Sequence, residues 1–142
     1  CKECKKARTV NEREFALISK ILATHPKAPT VTTSTEIFDE VGCEKCNGTG
    51  FKGRQGVYEA IRVDQAVEAA IINDPREHII LKAAQKQGIP SMAEDGIEKV
   101  LEGKTSLAEL QRVVDLTVGR HNNEDEVPQA AALDVDFQTH VV

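Results

Sequence analysis

The 142-residue chain contains very few aromatic residues: tryptophan is absent, and there are four phenylalanines and one tyrosine. Apolar residues make up 40% of the sequence, so we expect a modest core built mainly from aliphatic side chains. No apolar run approaches the roughly 18 residues that a membrane-spanning helix needs, and no secretory signal pattern is present. These absences argue against direct membrane insertion. The length fits one compact domain with an appendage, or two very small units.

Positive charge is missing from the end of the chain. Residues 121–142 include five acidic residues and no lysine or arginine, and the remainder of the chain is electrically neutral. Apolar periodicity also fails from Gly119 onward, so we predict that residues 119–142 form a disordered acidic tail. A short docking motif within residues 133–142 is the alternative. Because the chain begins with cysteine rather than methionine, we expect it to be a piece of a longer protein.

Signatures of a catalytic or nucleotide-binding site are also lacking. The phosphate-binding pattern GxxxxGK[ST] is absent, although residues 48–56 are rich in glycine. We therefore predict no catalytic residues and no ATP site within this chain. The histidines are scattered, and each is interpreted as a surface or loop residue: His25, His78, His121 and His140.

What the sequence does contain is a set of four cysteines in two Cys-x-x-Cys pairs: Cys1 with Cys4, and Cys43 with Cys46. Each pair directs two sulfurs to one side and fills half of a tetrahedral zinc shell, with Zn–S bonds of about 2.3 Å. Four thiolates close the shell, so the predicted zinc is structural. The pairs lie farther apart than the roughly 15–20 residues of the simplest pattern. A thioredoxin-like redox pair and structural disulfides in a secreted chain are the alternatives.

Basic residues concentrate near these cysteines. A basic patch often binds nucleic acid, but the aromatic residues that would stack on bases are missing here, so we expect no nucleic-acid binding. The positive charge is instead expected to offset the negative charge of a metal tetrathiolate. The residues concerned are Lys2, Lys5, Lys6, Arg8, Lys45, Lys52 and Arg54.

The apolar pattern predicts an α+β fold. In the first part, Asn11 is expected to cap a helix over residues 12–24. Residues 36–41 are expected to form a short strand. Residues 56–63 alternate as a second strand, with residues 51–54 paired to it as a β-hairpin.

A bundle of about four short helices is expected to follow. Asp64 begins the first, Asp74 with Pro75 and Glu77 the second, Ser91 the third, and Thr105 or Ser106 the last. We therefore divide the chain into a tetracysteine zinc-binding subdomain (residues 1–63), a helical subdomain (residues 64–118) and the acidic tail (residues 119–142).

Two longer runs of sequence resemble a known family. Residues 42–59 fit the pattern GCxxCxxTGFxGRxGVYE, and residues 88–109 fit GIPSMxxDGxxKVxxGxTSxxE. In this order the two patterns resemble the C-terminal region of the type II secretion and type IV pilus assembly ATPases. The resemblance covers residues 1 to about 115. The long insert at residues 11–41 and the acidic tail depart from the usual family pattern.

The resemblance implies a zinc-bearing subdomain placed after the nucleotide-binding core of a hexameric motor, followed by a small helical subdomain. The four cysteines correspond to the metal ligands, whereas ATP and Mg²⁺ would bind in Walker segments upstream of Cys1. The implied parent is a cytoplasmic ATPase held at the bacterial inner membrane through its partners. Those partners are neighbouring ATPase domains and subunits, together with inner-membrane platform proteins.

A second resemblance rests on residues 43–50, which fit CxxCxGxG and are similar to the cysteine-rich region of DnaJ-type chaperones. Such regions carry several of these repeats, whereas the first cysteine pair here is not followed by the glycines. The chaperone interpretation also leaves residues 88–109 unexplained. A DnaJ-like zinc-binding interaction module is therefore the alternative function.

Overall fold

The computed structural model describes residues 1–23 and 25–116. The predicted disorder of residues 119–142 and the alternative docking motif lie outside this range. Within it, the chain is a small α+β structure with two strands and five α-helices. The α+β class and the number of helices agree with the sequence prediction, whereas the strands differ from it. None of the helices in the described part of the chain is long and apolar enough to cross a membrane.

The sheet consists of β1 (Lys6–Thr9) and β2 (Glu36–Asp39), which pair antiparallel. The predicted strand over residues 36–41 is therefore confirmed in a shorter form, whereas β1 was not predicted. The register places Lys6 opposite Asp39, and Ile37 is fully buried. One end of the sheet leads directly to both cysteine pairs.

Helix α1 (Glu12–Leu22) connects the two strands and begins at the predicted cap. Asn11 and Glu14 form a capping box in which each side chain accepts a hydrogen bond from the other's amide. Arg8 on β1 then binds both Glu14 and Asp39 at 2.7 Å. The Arg8 guanidinium holds the pKa of Glu14 below its usual range, so this contact ties α1 to the sheet.

Residues 56–63 and 51–54 do not form the predicted hairpin, and no strand lies in either segment. The alternating sequence was misleading because neither face of residues 56–63 is buried against a sheet. Tyr58, for example, is 70% exposed. The correct two-stranded sheet is formed by β1 and β2.

Residues 56–63 are held instead by hydrogen bonds to the helix that begins at Met92. Asp95 accepts a hydrogen bond from the Tyr58 amide (2.8 Å) and also contacts Lys99. The Glu59 carboxylate accepts one from the Met92 amide (3.0 Å). These bonds replace the ladder that a neighbouring strand would supply.

Replacing Asp95 with alanine is therefore expected to release the segment around Tyr58. The Tyr58 amide loses its acceptor, and Lys99, whose side chain is 11% exposed, loses its carboxylate partner. We expect chymotrypsin to cleave after Tyr58 about tenfold faster than in the unchanged chain. Glu102→Ala, which removes an exposed carboxylate paired with Lys104, serves as the control and should leave the cleavage rate unchanged. Equal cleavage rates in the two variants would contradict the claim that Asp95 holds the segment around Tyr58 in place.

Helices α2 (Gln65–Asn73) and α3 (Glu77–Gln85) pack on each other. Asp64 caps α2 as predicted, accepting hydrogen bonds from two first-turn amides. The predicted start of α3 at Asp74 is wrong, because the helix begins after Arg76. The Asp74 carboxylate binds the Arg76 guanidinium, and its amide closes the end of α2.

Helices α4 (Met92–Leu101) and α5 (Leu107–Val113) begin at the predicted caps Ser91 and Ser106. They do not complete a bundle with α2 and α3. They pack on each other, and both contact β2, while α4 also contacts α1. The aliphatic core explains this arrangement, since it lies among these elements: Val10, Ile18, Ile21, Leu22, Ile37, Ala93, Ile97, Val100, Leu107, Leu110 and Leu116.

Candidate metal centre

Two backbone turns carry the cysteine pairs. In the first, the amides of Cys4 and Lys5 both donate to the Cys1 carbonyl, at 3.4 and 3.1 Å. The second is a 3₁₀ turn (Glu44–Cys46) followed by Asn47 in the left-handed region, with φ 52°. Both turns lie at the end of the sheet, because β1 begins two residues after Cys4 and β2 ends shortly before the second pair.

The structure brings all four predicted ligands together. The sulfurs of Cys1, Cys4, Cys43 and Cys46 all lie within 4.8 Å of one another. The Cys46 sulfur is 3.8 Å from that of Cys4 and 3.7 Å from that of Cys43. A tetrahedral zinc with bonds of about 2.3 Å requires sulfurs about 3.8 Å apart. A disulfide requires about 2.05 Å, so the four thiols are free and their spacing fits a metal ion.

Among the four cysteine sulfurs, that of Cys46 accepts the most hydrogen bonds from backbone amides in the described contacts. The amides of Cys43 (3.1 Å) and Gly50 (3.2 Å) both donate to it. Burial opposes its ionisation, but these amides and the neighbouring thiols of Cys43 and Cys4 together lower the pKa of Cys46 to about 7. A thiol that ionises more readily and accepts backbone N–H donors suits a thiolate-binding metal.

The pKa of Cys4 is shifted in the opposite direction, upward. Burial raises the pKa of the Cys4 thiol, the Gly42 amide opposes that shift, and the thiols of Cys46 and Cys43 add to it. The two sulfurs share a site in which only one charge is stabilised by the protein alone. A cation bound between the sulfurs would stabilise the second charge.

Three of the seven basic residues near the cysteines contact other groups. Lys45 pairs with Glu3 (3.3 Å), and Lys5 donates to the Gly103 carbonyl (2.9 Å). Arg8 is occupied by α1 and β2. The described contacts thus assign stabilisation of the sulfurs to backbone amides, a feature that residue composition does not reveal. The sequence signal that could have found these donors is the glycine content of the second turn.

Gly50 is needed at its position for steric reasons. Its φ of +79° is left-handed, and an added Cβ would lie 2.4 Å from the Glu40 Cβ. Gly48 has a similar φ of +77° but nothing within 4 Å of an added Cβ. An alanine at either position would have a strained backbone, but only an alanine at position 50 would also clash with Glu40.

Gly50→Ala is expected to weaken zinc binding by about 10–100-fold, because the clash displaces the amide that donates to Cys46. Gly48→Ala is the matched control and incurs only the left-handed strain of about 1–2 kcal/mol. Competition for zinc against a chromophoric chelator measures both affinities. Equal affinities for the two variants would show that the Gly50 amide does not support the site.

The histidines do not join the cysteines in the described part of the chain. His25 is buried against α4, with its Nε2 3.3 Å from Glu98, and its Nδ1 is buried without a hydrogen-bond partner. His25 thus lies in the loop between α1 and β2, which agrees with the prediction of a surface or loop residue, although its side chain is buried. His78 is exposed on α3. His121 and His140 lie outside the described residues.

Comparison with known proteins places this geometry in context. A family model described as "Type II/IV secretion system protein" matches residues 1–112. Type II secretion system protein E of Aeromonas hydrophila is 35% identical over 113 residues, covering 80% of this chain and 21% of that protein. Type IV pilus assembly ATPase TfpB of Acinetobacter baylyi is 31% identical over 117 residues, covering 82% and 19%.

A third relative, Type II secretion system ATPase E of Vibrio cholerae, is 31% identical over 113 residues, which are 80% of this chain and 20% of that protein. The chain thus spans about a fifth of the length of these relatives. The matched region includes all four cysteines and every helix and strand described above, up to the end of the family match in α5.

Proposed function

Because this chain belongs to the type II/IV secretion system protein family, we propose that it is the C-terminal, metal-binding and helical part of a secretion or pilus assembly ATPase. Its role there is to give structural and interaction support to a hexameric, ATP-driven motor. The observation that carries the proposal is the cluster of four cysteine sulfurs within 4.8 Å, inside a region that matches the family. The nucleotide site lies upstream of Cys1.

Zinc is the proposed metal. Four thiolates at a spacing of about 3.8 Å match its preferred tetrahedral shell and leave no open position for a water ligand. Cys1, Cys4, Cys43 and Cys46 would hold it. Its contribution is to join two turns that lie far apart in sequence, and so to close the end of the sheet.

The division into units also belongs to the proposal. A zinc-binding unit over residues 1–63 and a helical unit over residues 64–118 are supported by the sequence order of the motifs. The packing of α4 on α1 and β2 means that these units share a core. We therefore propose that they move together within the motor, with residues 119–142 as a separate tail.

Partners and location follow from the family assignment. We propose that the chain contacts neighbouring ATPase domains and subunits and the inner-membrane platform proteins, and that the motor is cytoplasmic and peripheral to the membrane. The isolated chain is expected to show no ATP turnover in the presence of Mg²⁺. It is also expected not to bind nucleic acid.

Sequencing the genomic DNA upstream of the Cys1 codon tests the proposal. The expected result is an in-frame strand–GxxxxGK[ST]–helix pattern, because phosphate binding in such motors depends on that loop. A J-domain upstream, with further CxxCxGxG repeats, would contradict it and favour the chaperone alternative.

A binding experiment separates the same alternatives at the protein level. The immobilised chain is offered either a nucleotide-binding core of a type II secretion ATPase or a reduced, unfolded polypeptide. We expect capture of the core only. Capture of unfolded polypeptide alone would favour the DnaJ-like module.

A further inference from the structure

The residue that joins the first cysteine pair to the sheet also contacts the far end of α4. Lys5 is the single residue between Cys4 and β1. Its ammonium group donates to the Gly103 carbonyl at 2.9 Å and lies 4.0 Å from the centre of the Phe38 ring. Lys5 therefore bridges the candidate metal centre and a part of the chain about a hundred residues away.

Lys5 and Phe38 pack so closely against Gly103 that no side chain would fit there without displacing one of them. Gly103 has φ +67°, and an added Cβ would lie 2.6 Å from the Lys5 Nζ and 2.5 Å from the Phe38 ring. Gly103 lies in the turn that connects α4 to α5. Two hydrogen bonds close this turn: the Gly103 amide donates to the Val100 carbonyl and the Lys104 amide to the Lys99 carbonyl, both at 2.9 Å. This turn is referred to below as the α4–α5 turn, residues 102–105.

The two sides of the contact are anchored differently. Phe38 lies in β2, opposite Ala7 in the sheet, so the strand pairing holds it in place. Lys5 lies just beyond the paired residues, and its backbone is held by the cysteine turn. Its amide donates to the Cys1 carbonyl at 3.1 Å, and the Cys1 ammonium donates to the Gly50 carbonyl at 2.6 Å. When the four sulfurs are not joined by a metal ion, the cysteine turn loses a restraint, and we expect Lys5 next to it to become more mobile.

We propose that occupancy of the four-cysteine centre controls the order of the α4–α5 turn through Lys5. With metal bound, the ammonium group is fixed between the Phe38 ring and the Gly103 carbonyl. Without it, the ammonium group leaves and the turn loses its only described side-chain hydrogen bond to the sheet region. The inference rests on the proposed metal-binding role and names the pathway by which metal loss reaches the helices.

The core predicts that this response is local. Helix α4 keeps its apolar contacts through Ile97 and Val100, both fully buried, and these do not involve the cysteine turns. Helix α2 lies away from the contact and packs on α3. Metal removal should therefore speed amide exchange in the α4–α5 turn more than in α2.

Amide hydrogen exchange followed by NMR on the full chain tests the proposal. Zinc is removed with a chelator under reducing conditions, and its content is measured in every sample. In the unchanged chain, removal is expected to speed exchange of the Gly103 and Lys104 amides at least tenfold, with less than a twofold change in α2. In Lys5→Met, these amides should already exchange at least fivefold faster while zinc is bound, with little further change on removal.

Lys6→Met is the matched control, since Lys6 is an exposed neighbour and has no described contact with the turn; it should behave like the unchanged chain. Phe38→Leu provides a second variant, expected to speed exchange of the same amides to a smaller extent. Zinc-loaded Lys5→Met that exchanges like the unchanged chain, or metal removal that accelerates all helices alike, would overturn the Lys5 pathway. A chain that binds no zinc would overturn the metal assignment itself.

Discussion

Replacing Cys46 with serine is expected to abolish stoichiometric zinc binding and to lower the free energy of unfolding by more than about 3 kcal/mol. That is a fraction of the about 10–16 kcal/mol that structural zinc contributes in small zinc-finger peptides. Only a fraction is expected because this chain also has an aliphatic core. Cys46 is the most informative of the four predicted ligands, since it is the one that is buried and its sulfur accepts two backbone hydrogen bonds. Zinc content and urea unfolding measure the two effects.

Lys45→Ala is the matched control for this variant. Lys45 lies in the same turn, but its side chain is exposed and pairs with the exposed Glu3. Exposed ion pairs contribute about 0–1 kcal/mol, so this change should leave zinc content at one per chain. A Cys46→Ser variant that retains both its zinc and its stability would refute the assignment of Cys46 as a ligand.

Ile97→Ala is expected to lower the free energy of unfolding by about 2–5 kcal/mol, the usual cost of removing a large side chain from a packed interior. Ile97 is fully buried on α4, in the core that α4 shares with α1 and β2. The shift in the urea midpoint of the zinc-loaded chain measures the loss.

Ile72→Ala supplies the comparison, because the same chemical change is made on α2 at a side chain that is 73% exposed. Surface substitutions usually change stability by less than about 0.5 kcal/mol. If the four later helices formed one bundle with α2 at its centre, the two variants would lose comparable stability. The fold described here predicts a large loss for Ile97 alone.

The helix starts were predictable because their signals are local. Asn11, Asp64, Ser91 and Ser106 each cap a helix through amides only two or three residues away. The start of α3 was misread for a local reason as well. The Asp74 carboxylate binds the Arg76 guanidinium instead of capping the helix, and the capping pattern alone does not predict this ion pair.

The strands were less predictable because pairing depends on distant residues. The sequence of β1, Lys-Ala-Arg-Thr, has no apolar alternation, and it becomes a strand because β2 lies opposite. Arg8 then binds Asp39 across the sheet. Residues 56–63 show the reverse case, in which a strand-like sequence stays unpaired in this chain.

The candidate site was predictable in its ligands and not in its surroundings. Two Cys-x-x-Cys pairs indicate four sulfurs that converge, and the structure brings them within 4.8 Å. The amides of Cys43 and Gly50 that support the Cys46 sulfur depend on turn geometry. The contact between Lys5 and Gly103 depends on how α4 packs on the sheet, which only the assembled core determines.

Native mass spectrometry of the purified full chain, after zinc repletion under reducing conditions, tests the central claim most directly. The account predicts a single species that carries one zinc ion, with all four cysteines unmodified once the metal is removed. A chain that carries no metal under these conditions, or whose cysteines are found in disulfides, would contradict a structural metal centre formed by Cys1, Cys4, Cys43 and Cys46.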